Sequence, residues 1–97
     1  MQVPVELKIK YLSRRSADIE RLRHSLDNDD FTGALKLGHQ VKGNADTFEF
    51  PQMTSLGLEI EKAAKDQNKE AVRFLVEKME SVIQNARSLF SSHRPQN

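Results

Sequence analysis

Several residue types are scarce in this sequence, and each shortage excludes a class of protein. Cysteine is absent from the 97 residues, which excludes disulfide bonds, thiolate catalysis and cysteine-ligated zinc sites. Tryptophan is absent too, and four glycines and three prolines are too few for the many turns of a β-sandwich. No apolar run approaches the ~18 residues of a transmembrane helix, and the N-terminal residues lack the cleavage site of a signal peptide. We therefore expect a cytoplasmic protein that does not enter a membrane.

An excess of one charge is also lacking. The chain has 15 Lys and Arg against 14 Asp and Glu, and this balance argues against a dedicated nucleic-acid-binding protein. Residues 1–26 nevertheless hold six basic and three acidic side chains, a local balance of +3. The simplest interpretation is a solvated face. Steering of an acidic partner is an alternative, and nucleic-acid binding is a weaker one because only Tyr11 is near to stack on a base.

Apolar residues in the second half of the chain recur at helical spacing. The longest stripe lies between residues 70 and 90, and Asn68 stands where an N-cap is needed. Pro51 stands where the first residue of the preceding helix is expected. A polar turn at residues 66–68 separates the two helices, and so short a connection makes them antiparallel neighbours.

The first half of the chain is predicted to be helical as well. Residues 3–12 indicate a short lead-in helix, and Ser16 can cap a second helix that ends at a turn over residues 27–30. Asp29 or Asp30 can cap a third helix, from Phe31 to about residue 48. The sequence thus predicts an all-α fold: an antiparallel four-helix bundle with an additional short N-terminal helix. We expect one domain over residues 1–92 and a disordered tail over residues 93–97.

The helix predicted to begin at Phe31 carries an unusual polar cluster. At about 100° per residue, His39 lies on the solvent side, and Gly43 follows one turn later on the same side. Glycine inside a helix costs about 1 kcal/mol relative to alanine, so Gly43 indicates that another molecule approaches there. Lys42 would disfavour the imidazolium and offer a cation to an anion on the ring. From spacing alone an ordinary surface histidine is the simpler interpretation, but the combination also describes a phosphoryl acceptor.

The sequence around His39 extends this pattern. The run Gly-His-Gln-Val-Lys-Gly-Asn-Ala-Asp-Thr-Phe-Glu-Phe-Pro over residues 38–51 resembles the histidine phosphotransfer (HPt) domain family, as does Leu-Gly-Leu-Glu-Ile-Glu-Lys-Ala-Ala over residues 56–64. The first run looks like the version in chemotaxis-kinase phosphotransfer domains and stand-alone modules. The resemblance implies that His39 is the phosphoacceptor and that Lys42 stabilises the phosphoryl group. It also implies a receiver domain of a response regulator, a histidine kinase, or both, as partners.

A docking face is predicted around the acceptor from the helical wheel. Its residues are Leu35, Lys36, Gln40 and Gly43. The sequence has no glycine-rich nucleotide-binding loop, so we expect a phosphocarrier without an ATP site whose catalytic Mg²⁺ is held by the partner receiver. We expect no cofactor, no metal, no nucleic acid and a monomer.

Two features leave room for other interpretations. Glu49 stands where the resemblance would have glycine, near the predicted helix end, and this favours an alternative in which the bundle is a non-transferring adaptor that binds a receiver or kinase. Asp46 is placed to form an ion pair with Lys42 four residues earlier. The remaining histidines, His24 and His93, are not spaced as metal ligands.

Overall fold

The computed structural model describes residues 3–92, and every regular element in that range is a helix. These are α1 (Val5–Asp27), α2 (Thr32–Asn44), α3 (Pro51–Lys65) and α4 (Lys69–Ser92). The all-α prediction agrees with this arrangement. The predicted disordered tail at residues 93–97 lies outside the described residues.

The predicted separate N-terminal helix is wrong, because α1 runs without interruption from Val5 to Asp27. Residues 13–16 are two serines and two arginines, with neither the proline nor the glycine that would break a helix. Leu12 and Ile19 are both fully buried, at 0 % exposure, and they lie two turns apart on one face. A single apolar stripe therefore joins the two predicted segments.

Polar residues and one proline fix the helix ends largely where the sequence predicts them. The Asp30 carboxylate accepts the backbone N–H of Thr32 at 3.0 Å, at the start of α2. The Asn68 side chain accepts the backbone N–H of Ala71 at 3.1 Å and so caps α4, as predicted. Pro51 begins α3, also as predicted. The exception is α2, which was predicted to end at about residue 48. It ends at Asn44, and residues 45–49 form a turn.

The core is continuous through all four helices. Helix α1 packs against α2 and α4, and α3 packs against the same two helices. The buried apolar residues are Tyr11, Leu12, Ile19, Leu22, Leu26, Phe31, Ala34, Leu37, Val41, Ala45, Phe50, Met53, Ile60, Ala64, Val72, Val76, Met79 and Ile83. The stripe predicted between residues 70 and 90 includes both Leu89 and Phe90. Leu89 is 60 % exposed, so its place in the stripe is wrong. Phe90 packs against the core as predicted, with its ring centroid 6.3 Å from that of Phe50.

Helices α2 and α3 touch through their backbones at a pair of glycines. A Cβ on Gly38 would lie 2.7 Å from the carbonyl oxygen of Gly57, and a Cβ on Gly57 would lie 2.7 Å from the backbone nitrogen of Lys42. Neither position has room for a side chain, so glycine is required at both. This crossing brings His39 and Lys42 of α2 next to Glu61 of α3.

Candidate functional site

His39 lies on the outer face of α2, as predicted, with 72 % of its side chain exposed. Its Nδ1 atom is 3.1 Å from Oε2 of Glu61 on α3. An ionised carboxylate can only accept hydrogen bonds, so Nδ1 carries the ring proton and its N–H group donates a hydrogen bond to Glu61. In the neutral ring the lone pair is then on Nε2. The arrangement selects one imidazole tautomer and leaves a free lone pair on the exposed ring.

Glu61 itself is buried, with 7 % of the residue exposed. Its second oxygen, Oε1, accepts a hydrogen bond from Nζ of Lys42 at 2.8 Å. This bond is the main reason why the pKa of Glu61 lies below its ordinary value; the hydrogen bond from His39 adds to the effect, and burial opposes it. The carboxylate therefore stays ionised at neutral pH and can hold both donors at once.

The predicted arrangement of charges near His39 is corrected by Glu61. Lys42 does not pair with Asp46, whose carboxylate accepts a hydrogen bond from Thr54 Oγ1 at 3.2 Å. Lys42 points to α3 instead, because the close helix crossing puts Glu61 within reach. Glu61 also places a negative carboxylate beside both side chains, so Lys42 is not alone in facing the ring.

The four predicted docking residues do not share one side of α2. At about 100° per residue, Leu35 lies on the same side of His39 as Lys42, toward α3, while Lys36, Gln40 and Gly43 lie toward α1. Leu35 is half-buried and packs against the core. Lys36 and Gly43 are exposed, and a Cβ on Gly43 would meet no atom within 4 Å. The open space beside Gly43 agrees with the wheel, and the docking role stays a prediction.

Within residues 3–92, no three His, Asp or Glu side chains are grouped so that they could hold a metal ion. No helix in the same range has the length and apolar character needed to cross a bilayer.

Comparison with protein families supports the resemblance of the sequence around His39. The family model of the Hpt domain matches residues 6–89, which include His39, Lys42 and Glu61. The chain belongs to the Hpt domain family. Hpt domains are phosphocarriers: they take part in histidine phosphotransfer within phosphorelays, together with receiver domains and kinases. Searches of curated proteins and of solved structures gave no significant match to this Hpt domain.

Glu61 is the site residue that the sequence-based prediction missed in this Hpt domain. A signal for it existed. Met53, Gly57 and Glu61 follow each other at four-residue intervals, so the carboxylate falls on the buried stripe of α3. A carboxylate is seldom buried without a partner, and Gly57 one turn earlier allows a neighbouring helix to come close. Neither the buried carboxylate nor Gly57 identifies His39 as the residue that Glu61 contacts.

Glu49, the departure from the usual Hpt glycine, has a backbone conformation that explains the preference. Its φ is 68°, in the left-handed region that favours glycine. The side chain compensates by contacts with the start of the chain: its carboxylate is 2.6 Å from Nζ of Lys8 and 3.4 Å from the backbone nitrogen of Val3. The hydrogen bond from Lys8 is the main reason why the pKa of Glu49 is lowered. The turn between α2 and α3 is thereby attached to α1.

Proposed function

We propose that His39 accepts a phosphoryl group from an aspartyl phosphate on a receiver domain, or from a histidine kinase, and passes it to a receiver domain. The observation that carries this proposal is the hydrogen bond from His39 Nδ1 to Glu61, which leaves the lone pair on Nε2 of an exposed ring. A nucleophile held in the correct tautomer needs no proton removed before it attacks.

The proposed step forms one bond and breaks one. The Nε2 lone pair attacks phosphorus opposite the aspartate oxygen, and the P–O bond breaks with its electron pair leaving on the aspartate carboxylate. The Nδ1 proton stays on the ring, where the Glu61 carboxylate balances the positive charge that develops. Attack on the phosphohistidine by the aspartate of another receiver is the same step in reverse. The Mg²⁺ that neutralises the phosphoryl oxygens is assigned to the receiver.

Lys42 has two proposed roles in this step. Its hydrogen bond to Oε1 holds the Glu61 carboxylate in place for His39. Its ammonium group, with 37 % of the side chain exposed, contacts the same carboxylate as the ring and can attract phosphoryl oxygens. Lys42 therefore assists transfer, and the nucleophile is His39 alone.

The finer features of the bundle are part of the same proposal. We propose that successive helices run antiparallel, because turns of only a few residues join them and α1 packs against both α2 and α4. A cytoplasmic location and a monomeric state stay predictions.

The test is a transfer assay from receiver domains carrying radiolabelled phosphate, with acid-labile, base-stable label on this chain as the readout. His39→Gln should remove all label while circular dichroism stays unchanged, because the exposed ring makes no core contact. His24→Gln, which changes another exposed histidine, is the matched control and should be labelled normally. Label that persists on His39→Gln would refute the proposal. Binding of receivers without any label on the natural protein would favour the adaptor function instead.

A further inference from the structure

Most basic side chains in residues 3–92 already have a carboxylate or an aromatic ring beside them. Lys8 contacts Glu49, Arg23 contacts Glu80, and similar ion pairs hold Arg15, Arg21, Lys69 and Arg73. Lys10, Arg14 and Lys36 are different: each is exposed, and none has an ionic partner among the described residues. All three line one groove between α1 and α2.

The groove runs beside the proposed phosphoacceptor. It consists of two adjoining hollows that share Arg15 from α1 and Gln40 from α2. Gln40 directly follows His39 and lies on the α1 side of it, so the groove begins at the edge of the reactive ring. Gly43, one turn after His39, leaves the same edge open. A partner that reaches Nε2 from this side must lie over the groove.

The groove is positively charged and has an apolar part. The only acidic residue in its lining, within the described range, is Asp18, which already contacts both Arg15 and Arg21. Leu7, which is 47 % exposed, adds an apolar surface next to Lys10. Interfaces commonly combine such an apolar centre with a charged rim. The lining therefore fits a partner with an acidic rim and a small apolar contact.

We propose that the groove docks the acidic face of a receiver domain, with Lys10 and Arg14 of α1 supplying the charge that steers association. The inference rests on the proposed phosphotransfer and deepens it. A protein that presents an aspartyl phosphate with a divalent cation must gather carboxylate ligands around it, so its approaching face is acidic. Charge complementarity across an interface mainly raises the association rate. This moves the docking surface from Leu35, on the α3 side of His39, to the α1 side.

The experiment measures association of the full chain with receiver domains from the same genome, each loaded with Mg²⁺ and beryllofluoride. Such receivers resemble the phosphorylated form but cannot transfer phosphate, so binding is read independently of His39 chemistry. The double variant Lys10→Glu, Arg14→Glu should associate at least ~10-fold more slowly at low salt, and the difference should fall to about 2-fold at ~0.5 M salt. The neutral double variant Lys10→Gln, Arg14→Gln should fall between.

Arg87→Glu is the matched control, because it reverses the charge of an exposed residue on α4 that has no ionic partner among the described residues. It should leave the association rate within about 2-fold of the natural protein. An equal loss in Arg87→Glu, no loss in the double variant, or no binding by any receiver would overturn the proposal. So would duplex DNA that binds the natural protein and is released by the double variant. Labelling of His39 with phosphoramidate, a small phosphoryl donor, judges the phosphoacceptor role separately.

Discussion

Gly57→Ala should weaken the site although it adds only one methyl group to a helix. The new Cβ would lie 2.7 Å from the backbone nitrogen of Lys42 and 2.9 Å from the carbonyl oxygen of Gly38. Ordinary carbon contacts begin at 3.4 Å, so α3 must move away from α2 by about 0.7 Å. The atoms in contact are helix backbone, which cannot turn aside as a flexible side chain can.

The expected loss of stability is the difference between two opposing effects. Overpacking costs about 1–3 kcal/mol, and the higher helix propensity of alanine returns about 1 kcal/mol. A net loss near 1 kcal/mol should lower the melting temperature by about 4–8 °C. Moving α3 by about 0.7 Å would also lengthen the 3.1 Å contact between His39 and Glu61 beyond hydrogen-bond range. The ring then loses its fixed tautomer, and we expect transfer to slow about tenfold.

Gly43→Ala is the control, since it makes the same chemical change at an open position of α2. A Cβ there meets no atom within 4 Å, so alanine should raise the free energy of unfolding by up to about 1 kcal/mol. Calorimetry should show melting temperatures that move in opposite directions for the two variants. The ¹⁵N shifts of the His39 ring should report a mixed tautomer only in Gly57→Ala. If Gly57→Ala melted at or above the natural temperature with an unchanged tautomer, the backbone contact between α2 and α3 would be refuted.

Substitutions at Lys42, Glu61 and Glu49 test the parts of the site separately. Lys42→Ala should slow transfer roughly tenfold in a single-turnover assay, and an unchanged rate would show that its hydrogen bond to Glu61 does not assist transfer. Glu61→Gln should slow transfer by a similar factor and mix the ring tautomers, because an amide can either donate a hydrogen bond to Nδ1 or accept one from it. Glu59→Gln changes an exposed neighbour on α3, and it should alter neither the transfer rate nor the tautomer. Glu49→Gly should raise the melting temperature by a few degrees because it relieves the left-handed backbone, whereas Glu49→Lys should lower it because it sets a like charge beside Lys8. Both variants should still accept label. Label on the glycine variant but none on the natural protein would favour the adaptor function.

Sequence patterns predicted best what depends on neighbouring residues. The start of α2 beside Asp30, the cap of α4 at Asn68 and the start of α3 at Pro51 depend on residues whose effects act within a turn. The early end of α2 was missed because residues 45–48 are compatible with a helix. Only the turn that attaches Glu49 to α1 shows why the chain leaves the helix there. The prediction of two helices in place of α1 was wrong because Ser16 can cap a helix but is also tolerated inside one.

The position of His39 and its role as phosphoacceptor were both predicted, but the residue that fixes its tautomer was not. Helical periodicity determines which way a side chain on α2 faces, so exposure of His39 and burial of Leu37 follow from the wheel. The partner of the ring comes from another helix, 22 residues later in the chain. Periodicity within one helix carries no information on which residue of a second helix it meets.

The glycines of α2 and α3 explain how the site combines a fixed ring with an open approach. Gly38 and Gly57 face each other inside the domain, where they let two backbones touch and bring Glu61 to His39. Gly43 lies on the outer face, where its missing side chain affects no contact within the domain. The inner glycine pair is therefore needed to set the tautomer of His39, whereas the proposed use of Gly43 depends on the arrival of another molecule. Substitutions at the inner pair should change stability and chemistry together, whereas a bulky residue at Gly43 should change binding alone.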